Sequence, residues 1–392
     1  MQSLIVDDFG AYLGKRSERV SVRYRDKERE KEEHALMDLD QIIIASRGVS
    51  ISSDLIEACT ERGIEIAFLS FNGKPYAKLN SPSLTATVIS RREQLAAYHD
   101  ERGVEIAKRF ATGKLQNQIN LVRYFGKYRK KRAPKKYTEL VDRLTKIEEL
   151  MSELQTVEIQ APIPTEEASQ SQLEEQEELP SLDSCGRDFP APIDGVRSTL
   201  LNLEGRAGAL YWECVQRLLP TGRFTTRNHQ GAVDDVNALL NYGYGILYSQ
   251  IWSALALAGL EPFAGFLHVD RPGKPSLVLD FIEEFRQPIV DRVVFAMINK
   301  KFKVKWETPD SEIAQAAHQP SKPDTATETP TQRHLSKDTR RAFADRVLAR
   351  LQETERFERK EQKLCNIIQL QARHLAMFLR GERDYQPFIA RW

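Results

Sequence analysis

The spacing of apolar residues changes once along the chain, near residue 83, and this change predicts two parts with different folds. Before it, apolar residues alternate with polar ones or form short β-branched runs, as in R-V-S-V-R-Y-R at residues 19–25. Such patterns are typical of strands. After it, apolar residues mostly recur every three or four positions, which indicates helices. The sequence therefore predicts an α+β multidomain chain, with a small β-rich, β-sandwich-like domain at residues 1–83 and an all-α domain at residues 84–392.

Two segments of the helical part lack this periodicity. Residues 156–194 are rich in Glu, Pro, Ser and Gln, with nine acids and one basic residue between residues 158 and 188. Residues 307–335 are rich in Pro, Thr and Ser. Segments of this composition bury too little apolar surface to offset the entropy of ordering. Both are predicted to be disordered insertions in the second domain.

Composition sets bounds on the cellular setting and on partners. The formal charge of +1 gives no bulk attraction to nucleic acid, so such binding has to come from local basic clusters. The four cysteines are widely scattered without a C-x-x-C pair, which argues against a zinc ribbon and a disulfide framework. No signal-peptide pattern opens the chain. We therefore expect a cytoplasmic protein.

One segment could be mistaken for a membrane span. Residues 236–260 contain 25 consecutive uncharged positions. They include glycines and several amide and hydroxyl side chains, and positive flanking residues are absent on both sides. These features favour a buried core helix over a transmembrane helix, and we expect no membrane association.

The most informative chemistry lies in H-V-D-R-P-G-K-P-S-L-V-L-D-F-I-E-E-F-R, residues 268–286. His268 precedes a Pro/Gly loop and a predicted helix, in which three acids have the i, i+3, i+4 spacing of one helical face. These acids are Asp280, Glu283 and Glu284. Acids beside so much apolar sequence are costly to bury without a compensating charge. A divalent cation bound by the acids and the imidazole would compensate, although a structural histidine beside an acidic helix explains the same residues.

Carboxylates with one imidazole form a hard donor set that favours Mg²⁺ or Mn²⁺ over zinc. Basic residues surround the stretch, among them Arg271, Lys274 and Arg286. The sequence motifs of zinc proteases, phosphate-binding loops and α/β-hydrolases are absent. A hard metal, carboxylates and basic residues together suit phosphodiester chemistry.

A second basic cluster lies at residues 123–136, where eight basic residues and no acid are interleaved with aromatic residues. This composition indicates a local nucleic-acid contact, and a solvated helix end explains it equally well. The candidate DNA-binding residues from this cluster, from a later loop and from the stretch 268–286 are Arg123, Lys127, Arg129, Lys130, Arg223, Arg227, Arg271, Lys274 and Arg286.

Several motifs, in their order along the chain, resemble the CRISPR-associated protein one family, the integrase and endonuclease of CRISPR adaptation. They are L-E-G-R-A-G-A-L-Y-W at residues 203–212, D-D-V-N-A-L-L-N-Y-G-Y at 234–244 and the stretch from G-F-L-H to E-E-F-R at 265–286. G-A-Y-L-G-K near the N-terminus and R-G-E-R-D-Y-Q-P-F in the tail resemble the same family. The resemblance spans nearly the whole chain apart from the two insertions.

The resemblance implies that the all-α domain is catalytic and that Glu204, His268 and Asp280 bind the metal. It makes Glu283, one helical turn later, a further metal-site acid and leaves Glu284 a structural role. The implied reaction is transesterification, which joins the 3′-OH ends of short foreign duplexes (prespacers) to the leader–repeat DNA of a CRISPR array. The implied assembly is a homodimer that forms a heterohexamer with the small ferredoxin-like CRISPR-associated protein two.

Two other functions stay open on the sequence. The chain could be a non-catalytic DNA-binding scaffold that uses the basic cluster at residues 123–136. It could also be a branched-DNA repair nuclease, which would use the same metal chemistry with water as the nucleophile.

Overall fold

The computed structural model describes residues 2–26, 30–70, 73, 75–79, 88–127, 129–158, 191–228, 232, 234–307 and 334–392. The predicted domain boundary after residue 83 lies outside these ranges, as do most residues of the predicted insertions 156–194 and 307–335. The chain has a mixed α/β fold in which helices predominate and the sheets are small.

Strands dominate the described part of the first 79 residues. The elements are β1 (Gln2–Val6), β2 (Tyr12–Arg16), β3 (Arg19–Arg23), β4 (Glu32–Ala35), β5 (Leu39–Ile44), β6 (Ser50–Ile51), α1 (Ser53–Glu61), β7 (Glu65–Leu69) and β8 (Pro75–Leu79). They form two four-stranded sheets with the strand orders β1-β5-β7-β8 and β4-β3-β2-β6. In the first sheet β1, β5 and β7 are parallel, while β8 is antiparallel to β7.

One hydrophobic cluster contains side chains from both of these sheets and from α1. Val20 and Val22 of the second sheet are buried in it together with Ile42 and Ile66 of the first. The two valines are two residues apart and therefore share one face of their strand. The alternating pattern before residue 83 thus corresponds to strands in the structure.

Helices make up most of the described chain after residue 88. They are α2 (Val88–Ala97), α3 (Glu101–Gly126), α4 (Arg129–Arg132), α5 (Pro134–Thr156), α6 (Pro192–Leu218), α7 (Asp235–Leu257), α8 (Ser276–Phe281), α9 (Arg292–Asn299), α10 (Lys337–Gln352) and α11 (Leu364–Leu379). Between α8 and α9 the chain forms a 3-10 turn at Ile282–Glu284 and a π-helical turn at Arg286–Asp291. The π-helical turn contains Pro288, which has no amide hydrogen to continue an α-helical ladder.

The prediction of an all-α second part is wrong in one respect, because two small antiparallel sheets interrupt the helices. β9 (Trp306–Glu307) pairs with β10 (His334–Leu335), and β11 (Thr354–Phe357) pairs with β12 (Lys360–Lys363). The second pair is a hairpin whose turn residues Glu358 and Arg359 have φ angles of 47° and 69°. Gly, Asn or Asp usually marks such a turn, so these residue types hide the hairpin within a charged helical pattern.

The uncharged segment that we predict to be a core helix forms α7. Its buried side chains belong to the large hydrophobic core of the helical part, and it contacts α10, α11 and the π-helical turn. None of the helices in the described ranges is long and apolar enough to cross a membrane.

The first sheet is attached to α7 through a very close backbone contact. A Cβ atom on Gly245 would lie 1.6 Å from the carbonyl oxygen of Gly73, so only glycine fits there. Nearby, Lys78 on β8 forms a salt bridge with Glu65 on β7 and donates a hydrogen bond to Oγ of Ser253 at 3.0 Å. The N-terminal sheet and α7 are therefore in direct contact.

We expect Gly245→Ala to destabilise the fold by about 1–3 kcal/mol, because the added methyl group overlaps the Gly73 carbonyl. Chemical denaturation measures the free energy of unfolding. Gly195→Ala on α6 is the matched control, since a Cβ there meets no atom within 4 Å. The control should be neutral or stabilised by up to about 1 kcal/mol, the helix propensity of Ala over Gly. Equal stability of the two variants would contradict the packing argument.

Candidate active site

Five segments carry the residues of the candidate site. α3 and α6 pack against each other and carry Lys114 and Glu204, respectively. The loop between α7 and α8 carries His268. α8 and the 3-10 turn after it carry Asp280 and Glu283. The candidate site therefore depends on the packing of helices that are far apart in sequence.

The side chain of Asp280 is fully buried, and the protein itself occupies its oxygens. Oδ2 accepts hydrogen bonds from the backbone amides of Phe266 at 2.7 Å and Leu267 at 2.9 Å. Oδ1 accepts one from the amide of His268 at 2.8 Å and lies 2.6 Å from its ring Nδ1. Successive amides that face one carboxylate form an anion-binding concavity. Asp280 thus fixes the loop that carries His268.

The contact with Asp280 decides which ring nitrogen of His268 is available. With Nδ1–H donating to the carboxylate, Nε2 keeps its lone pair. The side chain of His268 is 26% exposed, whereas that of Asp280 is 0% exposed. A carboxylate on the far ring nitrogen is the usual support of a metal-binding histidine. The geometry therefore makes His268 a ligand candidate and Asp280 its positioning partner.

Glu283 is the predicted acid that faces other charged groups. Its Oε2 lies 2.8 Å from Nζ of Lys114, and its Oε1 lies 3.2 Å from Nη2 of Arg286. Burial alone would raise the pKa of this carboxyl, but the charges of Arg286 and Lys114 outweigh burial and the pKa is lowered to about 2. Glu283 therefore stays ionised although it is buried.

Lys114 joins the two sides of the site. Its ammonium group also forms a salt bridge with Oε1 of Glu204 on α6. Burial would lower the pKa of Lys114, but the charges of Glu283 and Glu204 outweigh burial, and the net shift of the pKa is upward. Two carboxylates from different helical elements thus share one cation.

The third acid, Glu284, has a separate environment, which corrects the prediction that all three acids share one helical face. α8 ends at Phe281 and the chain tightens into a 3-10 turn, which changes the directions of the side chains after it. Glu284 is fully buried and accepts hydrogen bonds from the hydroxyl of Tyr385 and from the amide of Phe388. Burial raises the pKa of Glu284 to about 7. This acid therefore anchors the C-terminal tail, in agreement with its predicted structural role.

A buried asparagine holds the tail, α3 and the 3-10 turn together. Asn117 on α3 donates hydrogen bonds to the carbonyl oxygens of Glu284 at 2.9 Å and Phe388 at 2.8 Å. Its own carbonyl oxygen accepts one from the amide of Ala390 at 2.9 Å. The helix that carries Lys114 and the turn that carries Glu283 are thus fixed by the same residue.

Arg286, which pairs with Glu283, shares the ring of one tyrosine with a second arginine. The guanidinium carbons of Arg286 and Arg227 lie 4.8 Å and 5.5 Å from the ring centre of Tyr244 on α7, and Arg227 also lies 5.7 Å from the ring centre of Trp212. The aromatic ring holds each guanidinium group by its face. The terminal nitrogens of Arg227 donate to the side-chain oxygens of Asn237 and Asn241. The Nε atoms of both arginines are buried and have no hydrogen-bond partner among the described residues. This arginine pair is therefore a candidate phosphate contact.

A buried carboxylate supports Tyr244. Oδ1 of Asp291 accepts a hydrogen bond from the Tyr244 hydroxyl at 2.5 Å, and Oδ2 accepts one from the Tyr211 hydroxyl at 2.6 Å. Burial raises the pKa of Asp291 to about 6. Sequence reasoning did not single out Lys114, Tyr244 or Asp291 as functional residues.

Among the predicted DNA-binding residues, Arg286 contacts Glu283 and Arg227 shares the Tyr244 ring with Arg286, while the others lie elsewhere along the chain. Arg123, Lys127, Arg129 and Lys130 lie at the C-terminal end of α3 and on α4, Arg223 lies in the loop after α6, and Arg271 and Lys274 lie in the loop after His268. Two of them have acidic partners within the chain: Arg123 pairs with Glu148 at 2.5 Å, and Arg223 pairs with Asp235 at 2.7 Å.

The described ranges contain no group of three or more His, Cys, Asp or Glu residues arranged to hold a metal ion. Backbone amides occupy Asp280, and the Lys114 ammonium contacts both Glu204 and Glu283. The donor types still suit a hard divalent cation. In particular, Oε2 of Glu283 is buried without a hydrogen-bond partner among the described residues, although it contacts an ammonium group.

Comparisons with known proteins agree with this arrangement of motifs. The family model of CRISPR associated protein Cas1 matches residues 4–311. The chain is 34% identical over 396 residues to CRISPR-associated endonuclease Cas1 1 of Archaeoglobus fulgidus, with 99% of each chain covered.

Two solved structures are similar in fold. A casposase bound to integration product has a TM-score of 0.72 at 21% identity, with 99% of this chain and 93% of that chain covered. A Cas6-RT-Cas1–Cas2 complex has a TM-score of 0.69 at 18% identity, with 99% of this chain and 36% of that chain covered.

The raised pKa of Asp291 predicts a pH dependence of stability. The ordinary pKa of this carboxyl is 3.8 and the folded value is about 6, so the folded state binds the proton more tightly than the unfolded state. The stabilisation is complete below the unfolded pKa and is lost as pH rises through about 6. The loss is about 3 kcal/mol at 1.36 kcal/mol per pKa unit.

In Asp291→Asn the side chain cannot ionise, so the variant should lack this pH-dependent contribution to stability. Urea denaturation at several pH values should therefore show the stability of the wild type falling relative to the variant between about pH 4 and pH 7. Arg227 and Arg286 are the charged groups that oppose the shift. A stability difference that does not change with pH would contradict the burial of an ionisable Asp291.

Proposed function

Because the chain belongs to the family of the CRISPR-associated protein Cas1, we propose that it is a metal-dependent DNA integrase and endonuclease of CRISPR adaptation. It would join the 3′-OH ends of prespacer duplexes to the leader–repeat DNA of a CRISPR array. The observation that carries the proposal is the pair Glu204 and Glu283, two carboxylates that share one cation beside His268 and Arg286.

We propose Glu204, Glu283 and Nε2 of His268 as the ligands of Mg²⁺ or Mn²⁺. Asp280, which the sequence suggests as a ligand, is here assigned a positioning role, because three backbone amides and His268 already occupy its oxygens. Glu283 keeps its predicted place in the metal site, because it stays ionised. When bound, the divalent cation supplies Lewis acidity at a phosphoryl oxygen.

The remaining groups of the site would handle the substrate. Arg227 and Arg286 would bind a phosphate of the target strand through their Nε–H groups, which have no partner among the described residues. The 3′-oxygen of the prespacer forms a bond to phosphorus, and the bond between that phosphorus and the leaving strand oxygen breaks. The proton of the attacking hydroxyl passes to the leaving oxygen. Because one phosphodiester bond replaces another, no nucleotide cofactor is needed. Water in place of the hydroxyl gives endonuclease activity on the same site.

The other basic residues would contact DNA outside the reacting phosphate. Arg271 and Lys274 lie in the loop that begins after His268, which suits contacts next to the site. The cluster of Arg123, Lys127, Arg129 and Lys130, with Arg223, would contact the DNA backbone on another surface. Such contacts add affinity without sequence preference.

We also propose the domain roles and partners that the family implies. Residues 1–83 would form a β-sandwich-like dimerisation domain, and residues 84–392 the catalytic domain. The homodimer would assemble with CRISPR-associated protein two into a heterohexamer in the cytoplasm. The similarity in fold to a Cas6-RT-Cas1–Cas2 complex supports this assembly.

We expect Glu283→Gln, Glu204→Gln and His268→Ala to abolish strand transfer and to weaken Mn²⁺ binding. Asp280→Asn should reduce both by about 10- to 100-fold, the usual effect of a residue that orients a ligand. The measurements are Mn²⁺ titration calorimetry and the joining of a labelled prespacer to leader–repeat DNA. Glu139→Gln, whose carboxylate pairs with Arg217 on the surface, is the control and should behave as the wild type. Full strand transfer by Glu283→Gln would refute its role as a ligand, and a wild type without metal-stimulated joining or cleavage would favour the scaffold function.

The loop after His268 predicts a salt-dependent effect. Replacing Arg271 and Lys274 together by Met should weaken binding of any duplex and lower the slope of log affinity against log salt by about one for each lost phosphate contact. Fluorescence anisotropy across a salt series measures both quantities. The control replaces Arg359 and Lys360, exposed at the β11–β12 turn, and should leave the slope unchanged. Equal slopes for the two double variants would remove this loop from the DNA interface.

A further inference from the structure

The feature that the proposed function leaves unexplained is the lysine at the centre of the site. Lys114 lies on the face of α3 that carries the buried residues Ala107, Phe110, Ala111 and Gln118. A lysine on such a face has to find a partner, because an isolated ammonium group is costly to bury. Its side chain is only 15% exposed. The fold therefore places a positive charge in a mostly buried position, where it needs acidic partners.

Both partners of Lys114 are the carboxylates that we propose as metal ligands. The ammonium group lies 2.8 Å from Oε2 of Glu283 and in closer contact with Oε1 of Glu204. Together with Arg286 the two cations balance the two carboxylates, so the cluster is neutral without a metal ion. A divalent cation that used these same oxygens would meet an ammonium group already in contact with them.

The backbone near Lys114 is held independently of its ammonium group. Asn117, one turn later on α3, fixes the backbone through its bonds to Glu284 and to the tail. The lysine side chain has several rotatable bonds and reaches its partners through its terminal atom alone. Displacement of the ammonium group therefore needs only a change of rotamer.

We propose that Lys114 is an internal counter-cation that pairs Glu204 with Glu283 in the metal-free protein and competes with the divalent cation for them. This inference rests on the proposed function, since it assumes that these two carboxylates bind the metal. The lysine stabilises two buried carboxylates when no metal is present and leaves them when the metal binds. Lys114 is thus a positioning residue that sets the affinity of the site for the divalent cation.

The test compares Lys114→Met with the wild type in Mn²⁺ affinity and in thermal unfolding, with and without EDTA. The variant should bind Mn²⁺ at least about tenfold more tightly, the usual effect of removing one adjacent like charge. Without metal it should unfold at a lower temperature than the wild type, and Mn²⁺ should raise its unfolding temperature by more. A merely structural lysine predicts weaker metal binding instead. Lys108→Met on the same helix is the control, since within the described ranges Lys108 donates to the carbonyl oxygens of Gln155 and Val157 and pairs with no site residue.

The outcomes separate this inference from the proposed function. A folded Lys114→Met that binds Mn²⁺ as tightly as the wild type, or less tightly, overturns the competition while leaving the metal site intact. A wild type that binds no Mn²⁺ overturns both. If Lys114→Met folds only in Mn²⁺, that dependence supports the counter-cation role. Lys114→Gln, which keeps hydrogen-bond donors without the charge, then supplies the affinity measurement.

Discussion

The bonds between Asp280 and the amides of residues 266–268 are the constraint on which the candidate site depends. They close the loop after α7 onto the start of α8, and they leave no oxygen of Asp280 uncommitted. Because the same carboxylate contacts Nδ1 of His268, one interaction fixes both the loop and the orientation of the imidazole. Asp280 therefore sets both the position and the tautomer of the imidazole in the site.

Much of the site could be predicted from one stretch of sequence, but the separate roles of its acids could not. The sequence signal for Asp280 and Glu283 is that they are acids embedded in apolar residues, and His268 precedes them in the same stretch. Helical spacing cannot tell which acid faces which partner once α8 gives way to a 3-10 turn and a π-helical turn, and π-turns often occur at functional sites. The broad change from strands to helices is readable because it involves many residues. The β11–β12 hairpin is not, because its turn lacks the usual residue types.

The position of Lys114 on α3 indicates its role in part. A lysine on the buried stripe of an amphipathic helix needs an acidic partner, so its sequence position already indicates a buried ion pair. What sequence cannot supply is the identity of the partner, because Glu204 and Glu283 lie on α6 and on the turn after α8. The sequence does not predict the roles of Tyr244 and Asp291 for a similar reason. Each resembles an ordinary residue of a core helix until α7 and the π-helical turn are brought together.

The three acids of the stretch show three ways of burying a carboxyl group, and these differ in how easily a metal ion could replace the partner of the carboxylate. Asp280 is held by amides that belong to the backbone and cannot leave. Glu284 is buried with a pKa raised to about 7, so near neutral pH it is partly protonated and its bonds hold the tail. Glu283 stays charged because cations surround it, and one of these is a lysine on a flexible side chain. A cation can be exchanged for another cation, whereas a backbone amide or a proton in a closed core cannot. The acid balanced by a replaceable charge is therefore the one to expect as a ligand.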